Sequence, residues 1–506
     1  MQKLICIPIT ERDAGSFWSA YLEAARAADI VELRLDYLSE GEESKVLSRI
    51  TTETLPAPLI LTFRPREQGG MRDLSLEKRV KFWESLPPEL LNRISLVDFE
   101  LELVEHFATS QPPVSWNKVI CSNHDFQETP ADIGAIFERI SKTPAGIAKI
   151  ACLAKELTDC VKLFELMAES EKPFIILGMG IAGISTRVLA PAMGAVLTFG
   201  SLRKGAESAS GQPTAEELKL LYRADKLDRS TEIYGVVAHP VGHSRSPFIH
   251  NAAFSSTGRN AVYLPFEASD LKAFFSEMVR PGTRRIDWNF KGLSVTIPHK
   301  LAVMELLDEV DPIARAIGAV NTVAVRGEKL CGFNTDVTGA MRPLEKMIDL
   351  SGVKAAVLGA GGAARAICAG LKERSAAVEV YARNPEKAAS LTKDFQVGLK
   401  ALSDFSGGVD VVINCTPVGM TGHNVEDSPV AGAALRGAQV VFDLIYSPEE
   451  TVLMRDARMA GCQVLGGAEM LIGQAAEQYR IWTGEEAPNE VMAKAFKFGT
   501  AGINQG

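Results

Sequence analysis

The chain has 506 residues, 46% of them hydrophobic and 23% charged, with a formal net charge of −9. That length exceeds one ordinary core and implies about two to four domains. The acidic balance excludes nucleic acid or an anionic membrane surface as the main partner, and no apolar run is long enough to span a bilayer.

"MQKLICIPIT" enters a strand-like segment at once and leaves no room for a targeting peptide. The eight cysteines are scattered without CxxC spacing. They read as reduced core residues, so a cytoplasmic location is expected, or a plastid only if a transit segment has been removed. Strand-like runs follow at 3–9, 29–36, 59–64, 94–100, 118–123, 146–152, 174–180 and 194–200, with amphipathic stretches such as "SFWSAYLEAARAA" and "LTDCVKLFELMAES" between them. Eight such βα units predict a (β/α)8 barrel, with an open doubly wound sheet as the alternative. Lys149, inside the apolar run "GIAKIACLAK", is either an edge lysine whose stem snorkels to water or a partly neutral amine able to attack a carbonyl. "TAEELKLLYRAD" predicts a helix opened by a Thr214/Glu217 capping box, and the polar "KLDRSTE" places a domain boundary near residue 230.

The second half is mixed α/β to about residue 340 and then Rossmann-like. In "VKAAVLGAGGAARAICAGL" a strand, a glycine turn and a helix carry Gly359-x-Gly361-x-x-Ala364, a dinucleotide fingerprint. The next strand ends in Arg383-Asn384, where an acidic residue would suit NAD; a guanidinium there favours NADP. The expected domains are a barrel at 1–228, a substrate-binding lobe at 229–340, a nucleotide-binding lobe at 341–470 and C-terminal helices at 471–506 returning to the substrate lobe.

Chemistry in such a barrel gathers at the C-terminal strand ends. The polar residues there are Glu32 and Arg34 in "VELRLD", Arg64 in "TFRPREQGG", His124 in "SNHDF", Lys149, Arg187 in "GISTR", and Ser208 and Gln212 in "SASGQ". With "GMGIAGISTR", these strings resemble the type I 3-dehydroquinate dehydratases over roughly residues 3–225. The resemblance implies Lys149 as Schiff-base lysine, His124 as general acid/base and Arg187 as receiver of the substrate carboxylate. Glu32, Arg34, Arg64, Ser208 and Gln212 would contact hydroxyls or help close the site. Burial beside arginines is expected to free the Lys149 amine of its proton. One position departs from the family: Gln68 stands where a Glu usually supports the histidine. Gln68 is expected to hydrogen-bond the imidazole without stabilising its charged form.

In the second half, "HSRSP" offers Ser244 and Ser246, with Ser246-Pro247 reading as N-cap and first helical residue. His239, His243 and His250 share no helical face, because Pro and Gly intervene, and no metal is expected. "SVTIPHK" delivers Thr296 and Lys300, "GAVNT" Asn321 and "FNTD" Asp336. Together with "GAGGAARA", "NCTPVGM" and "GGAEMLIGQAAEQYRIWTG", they resemble the shikimate dehydrogenases over roughly residues 233–500. The resemblance implies Lys300 and Asp336 as the proton-transfer pair and Ser244 and Ser246 as carboxylate ligands. Thr296, Asn321 and Gln474 would contact hydroxyls, with Tyr446 nearby. For NADP it implies Gly359, Ala360, Gly361, Gly362 and Ala363 at the pyrophosphate turn, and Arg383, Asn384 and Lys387 near the 2′-phosphate. Thr416, Met420 and Gly467 would also contact the cofactor, Met420 near the nicotinamide. Val337 replaces a frequent Gly after the aspartate. Joined on one chain, the two resemblances imply that 3-dehydroquinate is dehydrated to 3-dehydroshikimate, which NADPH then reduces. The alternatives are a quinate/shikimate dehydrogenase of relaxed cofactor preference with a weakened barrel, and a ligand-sensing regulator on the same folds. The sequence leaves the oligomeric state open.

Overall fold

Alternation along the first-half strands sets what the barrel holds. Ile30, Ile60, Ile120 and Ile147 are each followed two residues later by a polar residue: Glu32, Thr62, Ser122 and Lys149. A strand turns every second side chain to one face, so an apolar layer must lie directly beneath a polar one. The computed structural model describes residues 4–242, 244–422 and 424–501, without the side chains of Lys387, Ser390 and residues 498–501. Two compact units divide it, one comprising 1–234, 239–243 and 260–290, the other 235–238, 244–259 and 291–506.

The first unit contains eight parallel strands: β1 (Leu4–Ile9), β2 (Ile30–Arg34), β3 (Leu59–Thr62), β4 (Leu96–Glu100), β5 (Val119–Asp125), β6 (Ile147–Leu153), β7 (Phe174–Met179) and β8 (Leu197–Phe199). Their order is β7-β6-β5-β4-β3-β2-β1-β8, and Val196 N donates to Phe174 O (3.0 Å) at the seam. This nearly closed sheet is the predicted barrel. Cys6, Ile30, Ile60, Ile120, Ile147, Ile175 and Leu197 belong to one buried cluster. On the outer face Phe99 meets the rings of Trp83 and Phe107. The register then sets Glu100 beside Ser122 and Ser122 beside Lys149, while Asp98 lies beside Thr62. β8 is shorter than its apolar run predicts. The Thr214/Glu217 capping box forms reciprocally, at 2.9 and 3.0 Å, but the helix behind it, Glu217–Leu221, is a π-helix rather than a long α-helix.

The second half holds β9 (Glu232–Ala238), β10 (Ala261–Glu267), β11 (Asn289–Val295), β12 (Glu309–Val310), β13 (Thr322–Arg326) and β14 (Lys329–Phe333) in one mixed sheet. β15 (Lys354–Leu358), β16 (Ala377–Ala382), β17 (Gly398–Ala401), β18 (Val411–Asn414), β19 (Val440–Asp443) and β20 (Gln463–Leu465) form a parallel sheet ordered β17-β16-β15-β18-β19-β20. That order is doubly wound, and its strand sequence reverses direction between β15 and β18. Alternate residues of β15 serve two cores: Ala355 and Val357 one, Ala356 and Leu358 the other. The helix after "HSRSP" runs Ser246–Ser256 with Arg245 at its cap, one residue earlier than expected, and Ser246 N donates to Ser244 Oγ (3.3 Å).

Candidate active sites

The polar layer of the barrel is a charge network. Lys149, 3% exposed, donates from Nζ to Asp98 Oδ2 at 2.6 Å, stands 3.9 Å from Glu32 Oε1 and lies over the Phe199 ring. Asp98 also receives Ser122 Oγ (2.6 Å) and forms an ion pair with Arg64, whose Nη2 stands 2.7 Å from Oδ1. Burial alone would raise this carboxyl, but Arg64 and Lys149 hold it well below the usual carboxylate range. The expectation of a lysine flanked by arginines is therefore corrected: carboxylates face Nζ, and Arg64 reaches it through Asp98.

His124 is kept neutral. Burial first, then Arg64 and Lys149, pushes its imidazole well below 6.5. Arg64 Nη1 lies 2.9 Å from Nε2. A guanidinium only donates, so Nε2 carries the lone pair and Nδ1 the proton. Nδ1 is buried without a hydrogen-bond partner. Gln68 does not hydrogen-bond the imidazole, contrary to expectation; its Oε1 accepts the backbone N–H of His124 (2.8 Å) and so fixes the strand end.

Other barrel residues divide by partner. Arg34 is held bidentately by Asp36 (2.9 and 2.8 Å) and donates to Gly69 O (3.1 Å), tying it to the loop after β3. Gly69 adopts φ +80°, a left-handed turn that favours glycine, and an added Cβ would fall 2.0 Å from the Phe126 ring, which would have to move aside. Glu32 accepts from Thr62 Oγ1 (2.7 Å). Arg187, 1% exposed, donates to Gly178 O (3.1 Å) and reaches Phe199 O (3.5 Å), with no carboxylate partner among the described residues. Burial pushes its guanidinium down to about 10. Ser208 donates from N and Oγ to Gln212 Oε1 (2.9 and 3.1 Å), leaving Gln212 Nε2 unpartnered; with Phe126 this loop lines an open cleft of about 530 Å3.

Sequence reasoning missed Asp98 and Glu100. Glu100 accepts from Arg79 Nη1 (3.0 Å), stands 3.7 Å from Arg64 Nε, and is raised by burial to about 7. Both sit in "SLVDFE" at alternate positions of one strand. That alternation was the available signal.

The second site lies within the second unit. Lys300 Nζ pairs with Asp336 Oδ2, and Asn321 Nδ2 donates to Asp336 Oδ1 (2.8 Å). Gln474, buried in the helix Gly467–Thr483, bonds its own helix at Leu471 O (3.0 Å). That helix meets the helix Asp336–Glu345 where an added Cβ at Gly339 would lie 2.8 Å from Gln474 N and Met470 O. The glycine lets Gln474 and Asp336 share one crossing. Thr296 and Tyr446 are half-buried, and burial raises the Tyr446 phenol.

The nucleotide turn follows β15. Gly359 has φ +104°, and its added Cβ would lie 3.1 Å from Cys415 O and Thr416 Cγ2. Thr416 is fixed by N and Oγ1 bonds to Asn414 Oδ1 (2.9 and 2.7 Å). Gly361 faces open space and caps the helix Gly362–Glu373, whose first turn has no side-chain cap. Ala360 and Ala363 flank this turn half-buried, and an added Cβ at Gly362 would lie 3.4 Å from Lys300 Cδ, so the dyad lysine runs alongside the turn. Arg383 and Asn384 are exposed at the end of β16, and Arg383 has no acidic partner among the described residues. An uncapped helix start, bare glycines and a free guanidinium fit a dinucleotide bearing a 2′-phosphate. Met420 is half-buried, and Gly467, buried, approaches Leu444 O too closely for any side chain. The Lys387 side chain and His243 lie outside the described residues. Among the described residues no group of three or more His, Cys, Asp or Glu could hold a metal ion, all eight cysteines are free, and no helix is long and apolar enough to cross a membrane.

Residues 5–229 match the family model of type I 3-dehydroquinase, 236–323 that of the shikimate dehydrogenase substrate binding domain and 467–495 that of the shikimate 5′-dehydrogenase C-terminal domain. Residues 354–441 match the model of coenzyme F420-dependent NADP oxidoreductases. The chain is 36% identical to a chloroplastic bifunctional 3-dehydroquinate dehydratase/shikimate dehydrogenase of Arabidopsis thaliana, over 96% of this chain and 83% of that protein. It is 30% identical to shikimate biosynthesis protein AroDE of Chlamydia pneumoniae, over 91% of each. Its second half is 42% identical to shikimate dehydrogenase (NADP(+)) of Pyrococcus furiosus, over 53% of this chain and 96% of that protein. A solved shikimate dehydrogenase in complex with NADP+ superposes with a TM-score of 0.50 at 38% identity, covering 54% of this chain and 96% of that one.

Proposed function

The chain belongs to the family of bifunctional 3-dehydroquinate dehydratase/shikimate dehydrogenases, and from that premise we propose that it carries out both reactions, each with the residues described above. The observation that carries the reading is the polar layer of the barrel. There one lysine amine and one neutral imidazole lie on β6 and β5, and one buried guanidinium, Arg187 of the helix Ile184–Met193, has no carboxylate partner among the described residues.

In the barrel, Arg187 receives the carboxylate of 3-dehydroquinate, since a buried cation without an anion is a ready receptor for one. Lys149 passes one ammonium proton to the Asp98 carboxylate it faces, the freed amine attacks the C3 ketone, and the ketone oxygen leaves as water with that proton and one from the amine as the iminium forms. The iminium draws electrons from C2, whose proton passes to His124. The C1–O bond then breaks, and the hydroxyl leaves as water with a proton returned by His124. Hydrolysis of the imine frees Lys149 and 3-dehydroshikimate. In the free site Arg64 covers the His124 lone pair. A substrate oxygen that draws Arg64 away uncovers the base only when substrate is present. Glu32, Arg34, Ser208 and Gln212 shape and close the mouth.

In the second site, NADPH supplies the hydride when bound. Gly359, Gly361 and the uncapped start of the helix Gly362–Glu373 would hold its pyrophosphate, and Arg383 its 2′-phosphate. Ser244 and Ser246 bind the substrate carboxylate, with Thr296, Asn321, Gln474 and Tyr446 around its ring. Lys300 gives a proton to the C3 oxygen, and Asp336 orients and balances the ammonium. The corresponding domains are 1–228, 229–340, 341–470 and 471–506. Eight free cysteines support a reducing, cytoplasmic setting.

The deciding experiment is a borohydride trap. Enzyme incubated with 3-dehydroquinate, reduced and digested should carry its mass adduct on the Lys149 peptide. NADPH should be consumed when 3-dehydroquinate alone is supplied. Absence of the adduct with intact reduction of 3-dehydroshikimate would remove the barrel assignment alone.

A further inference from the structure

We infer that Gln478 is a positioning residue for the Lys300–Asp336 dyad, acting through Thr322 and Asn321; this rests on the dehydrogenase reading above. Gln478 lies one turn beyond Gln474 on the helix Gly467–Thr483 and is 1% exposed. Its Nε2 donates to Thr322 Oγ1 (3.0 Å) and to the main-chain oxygen of Asn321 (3.2 Å), and its Oε1 accepts from Ser294 Oγ (2.8 Å).

The direction of every bond in this chain is fixed by the backbone. A main-chain carbonyl only accepts, so the Gln478 atom facing Asn321 O is the amide nitrogen. At the other end, Thr335 N donates to Asn321 Oδ1 (2.8 Å), so the Asn321 nitrogen faces Asp336 Oδ1. The Thr322 hydroxyl receives the Gln478 hydrogen and gives its own to Asn321 Oδ1 (2.7 Å). The chain therefore has one polarity, from Gln478 through Thr322 and Asn321 to the carboxylate whose second oxygen holds Lys300. With Oδ1 pinned, the Asp336 carboxylate cannot rotate, and the ammonium is presented at one angle. His250 also faces Gln478, but burial pushes its imidazole down to about 3, so it brings no charge near neutral pH. Polar networks of this kind act as a unit.

The test uses the full chain with Q478L, T322V, the double variant and T322S, assayed for NADPH-dependent reduction of 3-dehydroshikimate. Loss of one such bond should lower kcat about tenfold in Q478L and in T322V, with KM moved less than about twofold. The double variant should be no slower than either single, and T322S, which keeps the hydroxyl, should stay within about twofold of wild type. The pH profile of kcat should move alike in Q478L and T322V. Wild-type kcat in both single variants, additive losses, or an effect confined to KM would overturn the inference. If Q478L does not fold, T322V against T322S decides. If wild type itself fails to reduce 3-dehydroshikimate, the dehydrogenase reading fails instead.

Discussion

Replacing Arg187 by methionine separates a binding residue from a structural one, because the two roles predict opposite signs of stability. Burial alone, with no carboxylate among the described residues to offset it, pushes the guanidinium from its usual range down to about 10. At about 1.4 kcal/mol for each tenfold change in proton affinity, the folded barrel carries about 3 kcal/mol of uncompensated desolvation. The folded value lies below the unfolded one, so this penalty is complete below about pH 10 and fades only as the pH rises above it. R187M removes it but strands the carbonyls of Gly178 and Phe199, at about 1 kcal/mol each. The ligand-free barrel should thus gain about 1 kcal/mol, read by amide hydrogen exchange of β7 and β8 at pH 7. The KM for 3-dehydroquinate should rise about a hundredfold as the charge-assisted carboxylate contact is lost. A barrel destabilised by more than about 2 kcal/mol with KM unchanged would show that Arg187 is an internal strut.

Glu100 is raised above its usual 4.5 to about 7, so the barrel should lose up to about 3 kcal/mol as the pH rises across that interval. E100Q should flatten this slope in the same exchange measurement, and an unchanged slope would refute the assignment. D98N leaves Lys149 and Arg64 without their shared anion and should cost about 3–5 kcal/mol of barrel stability. Dehydratase activity should fall with it while NADPH-dependent reduction in the same preparation is unaffected; equal losses in both would contradict the two-site reading. R383A should raise the KM for NADPH about tenfold and leave that for NADH unchanged. Equal effects on the two cofactors would place the 2′-phosphate elsewhere.

What could be read from the chain alone followed from the reach of its patterns. Lys149 stood out as a lysine inside an apolar run and His124 and Arg64 as polar residues at the ends of such runs, and the glycine turn after β15 announced itself through its strand and helix. Asp98 and Glu100 did not, because a strand ending in acidic residues looks the same whether they face solvent or the barrel interior. Only the register, which puts Thr62 beside Asp98, Ser122 beside Glu100 and Lys149 beside Ser122, shows that they share one polar layer. For Gln68 the residue type was legible but its target was not: an amide one loop away from an imidazole can as easily meet the backbone behind it. The Thr214/Glu217 box is local and was readable, whereas the π-winding of the helix it opens depends on what packs around it. Gln478 was invisible because its partners lie 156 to 184 residues earlier.

The close crossing at Gly339 bears on how this enzyme tolerates mutational drift. The atoms an added methyl would strike, Gln474 N and Met470 O, belong to main chain, so no rotamer change relieves them. Alanine there forces the two helices apart and carries Gln474 away from Asp336. A survey of all single substitutions under selection for shikimate synthesis would thus rank Gly339 with Lys300 and Asp336. The cause would be backbone geometry, at a residue that neither binds substrate nor moves a proton.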